Sequence, residues 1–155
     1  MSRAPERVEA ALLAAGVEVD VRTFPQGTRT AEDAAAAVGV EVGQIVKSLV
    51  FTRDGHPVLA LVSGSNRADE ALLEKAFGGA VGRASADEVR DWTGYSIGGV
   101  PPFGHASEVP VFMDRDLLGY ATVWAAAGRP DSVFEIAPDR LRTLSNATVL
   151  DLKVT

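Results

Sequence analysis

Cysteine is absent from the 155-residue chain, and histidine occurs only as His56 and His105. Without thiols the chain can form neither a disulfide nor a zinc–thiolate site, and it cannot use a cysteine nucleophile. Two histidines could scarcely build a histidine-rich metal centre, although carboxylate ligands remain possible. We therefore expect a protein that uses no metal and no other cofactor.

The chain also lacks a long apolar run and an excess of basic residues. No stretch approaches the roughly 20 apolar residues that span a bilayer, and residues 1–6 show no apolar secretory core. We expect a cytoplasmic protein that does not engage a membrane. The net charge of −6 opposes broad binding along DNA or RNA, because that mode depends on a basic surface. Contact with a short RNA end remains open.

The size and composition are those of one soluble domain. Hydrophobic residues make up 46% of the chain and charged residues 23%, and 155 residues suffice for an independent core. We find no repeat, low-complexity tract or linker. Residues 1–155 are therefore expected to form a single domain.

Helical and strand patterns alternate along the chain and predict a mixed α/β fold. Helices are predicted at residues 5–15, 30–39, 68–77, 85–92 and 138–144, with a single turn at 115–118. Strands are predicted at residues 19–23, 45–51, 58–62, 80–83, 109–113, 120–126, 133–136 and 147–152. Thr30, Ser85 and Asp114 are the expected helix caps.

The strands at 45–51 and 58–62 are joined by Asp54 and Gly55, a typical hairpin turn. Both strands are almost continuously apolar, which indicates burial on both faces at the centre of a covered sheet. Lys47 interrupts this pattern, and a lysine that faces a core is costly unless it finds a partner or water. Either its stem packs while its head reaches solvent, or it binds a ligand carbonyl or phosphate.

A second unusual segment, residues 98–105 (GGVPPFGH), combines glycines, prolines, an aromatic and a histidine. Paired glycines allow a close backbone approach, and such a loop can direct N–H groups at an oxyanion. An ordinary chain reversal remains the alternative. If the fold brings Lys47 to Gly98 and Gly99, the three would bind a developing oxyanion from two sides. No protein nucleophile stands out, because the chain has neither cysteine nor a Gly-x-Ser-x-Gly motif.

Six segments in register resemble the YbaK/prolyl-tRNA-synthetase-associated editing domain family, from about Thr23 to the C-terminus. They are residues 30–35 (TAEDAA), 44–50 (QIVKSLV), 61–64 (LVSG), 93–95 (TGY), 98–104 (GGVPPFG) and 111–114 (VFMD). The resemblance implies a mixed, strongly curved sheet flanked by helices. It also implies a free-standing enzyme that deacylates mischarged tRNA, with a ribose hydroxyl, a water or the substrate's own side chain as the attacking group.

Site residues are carried over from the family by position. Lys47 matches the family's essential lysine, and Gly98 and Gly99 match the glycine pair that borders the aminoacyl pocket. Ser48 follows the lysine as a small hydroxyl residue often does, whereas Phe24 and Thr30 fall in the segment that lines the pocket mouth.

The rest of this loop is also expected to bind substrate, through Phe103 and Gly104 of the matching segment and through His105, which follows them. On spacing alone His105 would be a surface loop residue. Some family members carry a functional histidine or aspartate near residues 128–133, where this chain has no histidine. Asp131 either takes that place or is a turn residue.

The function implied is the hydrolysis of mischarged tRNA, with Cys-tRNA(Pro) or Ala-tRNA(Pro) as the expected substrate. The expected partners are the tRNA acceptor end and prolyl-tRNA synthetase. Two other readings remain: a non-catalytic module that binds a tRNA end or a synthetase, and a small-molecule-binding protein that uses the same pocket. The sequence does not specify the edited amino acid, because that depends on pocket volume and polar contacts.

Overall fold

Helices and strands alternate along the chain, as the sequence predicts. The computed structural model describes residues 4–14, 16, 21–24, 30–105, 107–129 and 131–154. Helices α1 to α5 are Ala4–Ala14, Ala31–Val38, Glu70–Phe77, Ala86–Thr93 and Pro138–Ser145. Strands β1 to β8 are Val21–Thr23, Val46–Arg53, His56–Ser63, Val81–Arg83, Val111–Asp114, Val123–Ala126, Ser132–Ile136 and Thr148–Leu150. Short 3₁₀ helices occupy Val42–Gln44 and Arg115–Gly119.

Helix ends lie where the capping residues predict them. The Thr30 hydroxyl accepts a hydrogen bond from the Asp33 N–H at 3.1 Å and begins α2. At α4, the Ser85 hydroxyl and the Glu88 carboxylate each accept from the other residue's backbone N–H, which completes a capping box. Residues 15, 19, 20, 25 and 130, which belong to predicted elements or turns, lie outside the described residues.

The described strands form two open sheets. A five-stranded sheet has the order β4-β2-β3-β5-β8, and a three-stranded antiparallel sheet has the order β1-β7-β6. Ile45 pairs with Trp124 in a parallel bridge, which joins the start of β2 to β6. The mixed α/β class predicted from the sequence is confirmed.

Strands β2 and β3 form the central hairpin of the larger sheet, and both faces of β3 are covered. Leu59 and Leu61 belong to one buried cluster, whereas Val58, Ala60 and Val62 belong to another on the opposite face. This alternation follows from the period of two in a strand. The prediction of a hairpin covered on both faces is confirmed.

The hairpin reverses at Asp54 and Gly55, whose φ angles are 50° and 80°. Positive φ at both central residues is the requirement of a type I′ turn, which matches the twist of the strands. Among the described residues, no helix combines the length and apolar character needed to cross a membrane.

The central strand should dominate the stability of the fold. Leu61 is fully buried, so Leu61→Ala is expected to lower the free energy of unfolding by about 2–5 kcal/mol through lost burial and a cavity. Leu13 is 65% exposed, and Leu13→Ala should change stability by less than about 0.5 kcal/mol. Urea unfolding of both variants measures the difference. Equal losses would contradict this assignment of the core.

Candidate active site

A cavity of about 620 Å³ opens at the junction of the two sheets. Its walls include Ile45 and Trp124, the pair whose bridge connects the sheets. The beginning of α2 contributes Thr30 and Glu32, and the loop after α4 contributes Gly98. The cavity therefore collects segments that are far apart in the sequence, and its volume lies within the range of small-molecule sites.

Lys47 lines this cavity from the beginning of β2. Its Nζ donates a hydrogen bond to the backbone carbonyl of Asn66, in the turn that follows β3. An ammonium group has three N–H donors, so this contact leaves two for other acceptors. Lys47 is thus half-buried and held from one side, with the cavity on the other.

Burial lowers the pKa of Lys47 below its ordinary value, because the charged form loses hydration. The negative charges of Glu32 and Asp114 act in the opposite direction, while Arg83 adds to the lowering. A poorly hydrated ammonium gains more from a ligand carbonyl or anion than an exposed one does. The electrostatics of the site therefore favour a ligand oxygen beside Lys47.

The two glycines of the loop have different structural roles. Gly98 lines the cavity together with Lys47 and has a φ of 86°, which favours glycine. Gly99 does not line the cavity, and its N–H donates to the Ser96 carbonyl at 2.9 Å. We expected both N–H groups to face the ligand, but that of Gly99 is already used within the turn.

Gly99 instead permits a close approach between two backbone segments. A Cβ added there would lie 2.7 Å from the Arg129 Cα and 2.8 Å from its carbonyl carbon. These are backbone atoms, so they cannot turn aside as a flexible side chain would. Gly99 therefore sets the position of the loop that carries Gly98.

Of the other predicted site residues, Thr30 and Ser48 line the cavity and Phe24 does not. Phe24 packs against the buried cluster that includes Ile45 and Trp124, two residues of the cavity wall. A smaller cavity of about 90 Å³ adjoins the first, because Ser48 and Gly98 line both. Its wall includes Arg83, which brings a second cation close to Lys47.

The rest of the loop does not reach the cavity. The Phe103 ring lies 6.1 Å from that of Phe134, and Gly104 approaches Ala11 of α1. His105 donates from Nε2 to the Pro101 carbonyl at 2.6 Å, and burial lowers its pKa. These contacts hold the loop against the core. The substrate-binding role of Phe103, Gly104 and His105 remains a prediction without support from this geometry.

Asp131 behaves as a turn residue. Its carboxylate accepts from Arg129 Nη2 at 3.2 Å and from the Ser132 hydroxyl at 3.3 Å. It is not among the residues that line the cavity, whereas the neighbouring Ser132 is. Of the two sequence interpretations, the turn is the one that these contacts support.

Several residues of the cavity wall were not predicted from the sequence, chiefly Glu32, Ile97, Trp124 and Ser132. Glu32 lies in a segment that carries the family resemblance, so its position in the sequence could have indicated that it belongs to the site. No sequence feature indicated that Trp124 and Ser132 belong to the site, because a strand pattern does not show which cavity the strand borders. Within the described residues, Ser48 Oγ and Trp124 Nε1 are buried without a hydrogen-bond partner.

The arrangement is suited to binding an ester or phosphate through positioning and charge. Lys47 and the backbone at Gly98 can stabilise negative charge on a ligand oxygen, while Glu32 can attract a cationic group. No cluster of three metal-ligating side chains occurs in the part of the chain that the structure describes.

Residues 25–144 match the model of a known family, described as the aminoacyl-tRNA editing domain. The chain is 36% identical over 133 residues to YwhH of Bacillus subtilis, an uncharacterized protein, and covers 85% of each sequence. It is 29% identical over 125 residues to EbsC of Enterococcus faecalis, a proposed Cys-tRNA(Pro)/Cys-tRNA(Cys) deacylase. That match covers 79% of this chain and 76% of EbsC.

The chain is also similar to part of a longer protein and to a solved structure. The chain is 36% identical over 107 residues to the proline–tRNA ligase of Maridesulfovibrio salexigens, which covers 68% of the chain and 18% of the ligase. A crystal structure of a proposed trans-editing enzyme for prolyl-tRNA synthetase superimposes with a TM-score of 0.95 at 47% identity. That superposition covers 100% of this chain and 99% of the other.

The close packing of Gly99 can be tested by adding a single methyl group. Gly99→Ala should lower the free energy of unfolding by about 1–3 kcal/mol, because the new Cβ overpacks against the Arg129 backbone. Gly119→Ala is the matched control, since a Cβ there meets open space. Chemical unfolding measures both. A Gly99→Ala variant as stable as the control would contradict the packing.

Proposed function

The chain belongs to the aminoacyl-tRNA editing domain family, and we propose that it is a deacylase that acts in trans on mischarged tRNA. The observation that carries the proposal is the cavity that Lys47 and Gly98 line together. Similarity to EbsC over 79% of the chain, and to a proposed trans-editing enzyme over the whole chain, supports the assignment.

The reaction is the hydrolysis of the ester that joins the amino acid to the terminal ribose. Water adds to the acyl carbon, the bond between that carbon and the ribose oxygen breaks, and the ribose oxygen leaves with a proton. Negative charge develops on the carbonyl oxygen during the addition. Lys47 is the electrostatic anchor for this charge, and the Gly98 backbone is the second donor. The protein supplies positioning and charge stabilisation rather than a nucleophile.

The charges of the cavity match an aminoacyl ester. Its α-ammonium group is attracted by Glu32, and its carbonyl oxygen by Lys47, and both residues line the same cavity. An ester without a free amino group lacks the first attraction. The cavity volume of about 620 Å³ accommodates the acyl group with part of the terminal nucleoside.

The substrate that we propose is tRNA(Pro) charged with cysteine or alanine. A synthetase pocket cannot strongly reject an amino acid similar to or smaller than its own, so editing of such errors is needed. EbsC is a proposed deacylase of Cys-tRNA(Pro) and Cys-tRNA(Cys), and another relative is a proline–tRNA ligase. The proposed partners are the acceptor end of the tRNA and prolyl-tRNA synthetase, in the cytoplasm.

A panel of mischarged tRNAs tests the proposal. The purified protein should release cysteine or alanine from tRNA(Pro) without any synthetase present, whereas correctly charged Pro-tRNA(Pro) should stay charged. Lys47→Ala should lower the rate by about 100-fold or more, because the developing charge loses its anchor. Lys75→Ala, which removes an exposed lysine from α3, is the control and should keep the wild-type rate.

Two results would overturn the proposal. One is a folded protein that leaves every tRNA of the panel charged, which would favour a non-catalytic binding module. The other is a Lys47→Ala variant that remains fully active. Binding of an unreactive aminoacyl-adenosine analogue, followed by thermal shift, would then show whether the cavity still takes the acyl end.

A further inference from the structure

We infer that Asn66 and Asp114 are positioning residues that hold Lys47 at the cavity through a partly buried chain of hydrogen bonds. The inference rests on the proposed function, in which Lys47 anchors the developing charge. Neither residue lines the cavity, so each acts through Lys47 and not by touching the substrate.

The register of the large sheet brings Lys47 and Asp114 to the same face. Lys47 pairs with Val62 across β2 and β3, and Ala60 pairs with Phe112 across β3 and β5. Residues two apart in a strand share a face, and so do directly paired residues. Asp114 therefore lies on the face of the sheet that carries Lys47, one strand beyond Val62.

Asp114 is almost completely buried, with 1% of its surface exposed, and both of its oxygens accept hydrogen bonds. Oδ1 accepts from the Asp116 N–H at 3.0 Å, which is the cap of the 3₁₀ helix that the sequence predicts. Oδ2 accepts from the Ser63 N–H at 3.0 Å and from Asn66 Nδ2 at 2.8 Å. A cap alone would use one oxygen at the surface; here the second oxygen fixes the end of β3.

Asn66 links this carboxylate to the lysine. Its side-chain amide donates to Asp114 and, at 2.9 Å, to Asp116 Oδ2, while its backbone N–H donates to the Ser63 carbonyl at 2.9 Å. The turn is thereby held so that the Asn66 carbonyl accepts from Lys47 Nζ. Without the amide, the turn is connected to Asp114 only through the backbone of Ser63, and the carbonyl that orients Lys47 loses its direct support.

The chain of contacts ends at the surface. Lys153 Nζ donates to Asp116 Oδ2 at 2.8 Å, and both side chains are about two-fifths exposed. Exposed ion pairs contribute little to stability, so this last contact is the weakest part of the chain. The contacts that Asn66 makes with Asp114 and with Lys47 are the ones that determine where Lys47 lies.

Asp114 also affects the charge state of the lysine. The groups that act on Lys47 are Glu32 from α2, Asp114 from β5 and Arg83 from β4, and the two carboxylates raise its pKa against the effect of burial. Removing the Asp114 charge should therefore lower the pKa of Lys47 further. Activity that needs the ammonium would then be lost at a lower pH than in the wild type.

The activity test uses Asn66→Ala and Asp114→Asn with the mischarged tRNA that the wild type deacylates best. Each should reduce kcat by about 10- to 100-fold with little change in KM, since the anchor is displaced but the cavity wall is intact. Asn66→Ala should have no further effect in a Lys47→Ala background, because both changes act on one unit. Asp151→Asn, which neutralises an exposed carboxylate, is the control.

The second readout does not depend on deacylation. Lysine occurs only at positions 47, 75 and 153, so side-chain NMR signals can be assigned by single Lys→Arg substitutions. The pKa of Lys47 should fall in Asp114→Asn and stay unchanged in Asp151→Asn. With enzyme-free hydrolysis subtracted, the alkaline limb of the Asp114→Asn rate profile should move to lower pH by the same amount.

The inference is overturned if folded Asn66→Ala retains the wild-type kcat, or if the two changes remain additive in the Lys47→Ala background. If Asp114→Asn does not fold, Asn66→Ala decides alone, because Asn66 is only half-buried. Failure of the proposed function has a different signature: the wild type is inactive on every tRNA, yet the NMR titration still reports whether Asp114 acts on Lys47.

Discussion

A half-buried ammonium group at the start of a strand in the central hairpin must find acceptors, and this requirement shapes the site. Lys47 meets it with the Asn66 carbonyl on one side and the cavity on the other. A lysine without either would lose hydration with nothing in return. Three features therefore surround this single charge or support it: the turn after β3, the cap of the second 3₁₀ helix and the open volume beside β2.

The cavity exists because two sheets meet without filling the space between them. Glycines let the backbone segments at its border approach closely: a Cβ at Gly64 would lie 2.3 Å from the Val42 carbonyl oxygen, and one at Gly99 would lie 2.7 Å from the Arg129 Cα. Any other residue would push these segments apart. The shape of the cavity therefore depends on these backbone contacts as well as on the side chains of its walls.

Much of the fold could be predicted because the signals are local. The caps at Thr30 and Ser85, the Asp54–Gly55 turn and the apolar hairpin each depend on residues a few positions apart. The sequence also predicts that Lys47 and Gly98 border the same cavity, because a lysine is unexpected in an apolar strand and because both residues match the family's motifs. The role of the Gly99 N–H could not be predicted, because it depends on how the turn closes on Ser96.

The sequence by itself determined the helices and strands and the central covered hairpin, and it predicted a site that combines a lysine with a glycine-rich loop and no protein nucleophile. Only the tertiary structure decided that Trp124 and Ser132 border the cavity. It also decided that Phe103 and His105 face the core, and that Asp114 supports Lys47 through Asn66. The physical reason is the distance along the chain over which each interaction acts. Caps and turns depend on residues that are close in sequence, whereas strand register and the contact between the sheets determine which residues from distant parts of the sequence lie together.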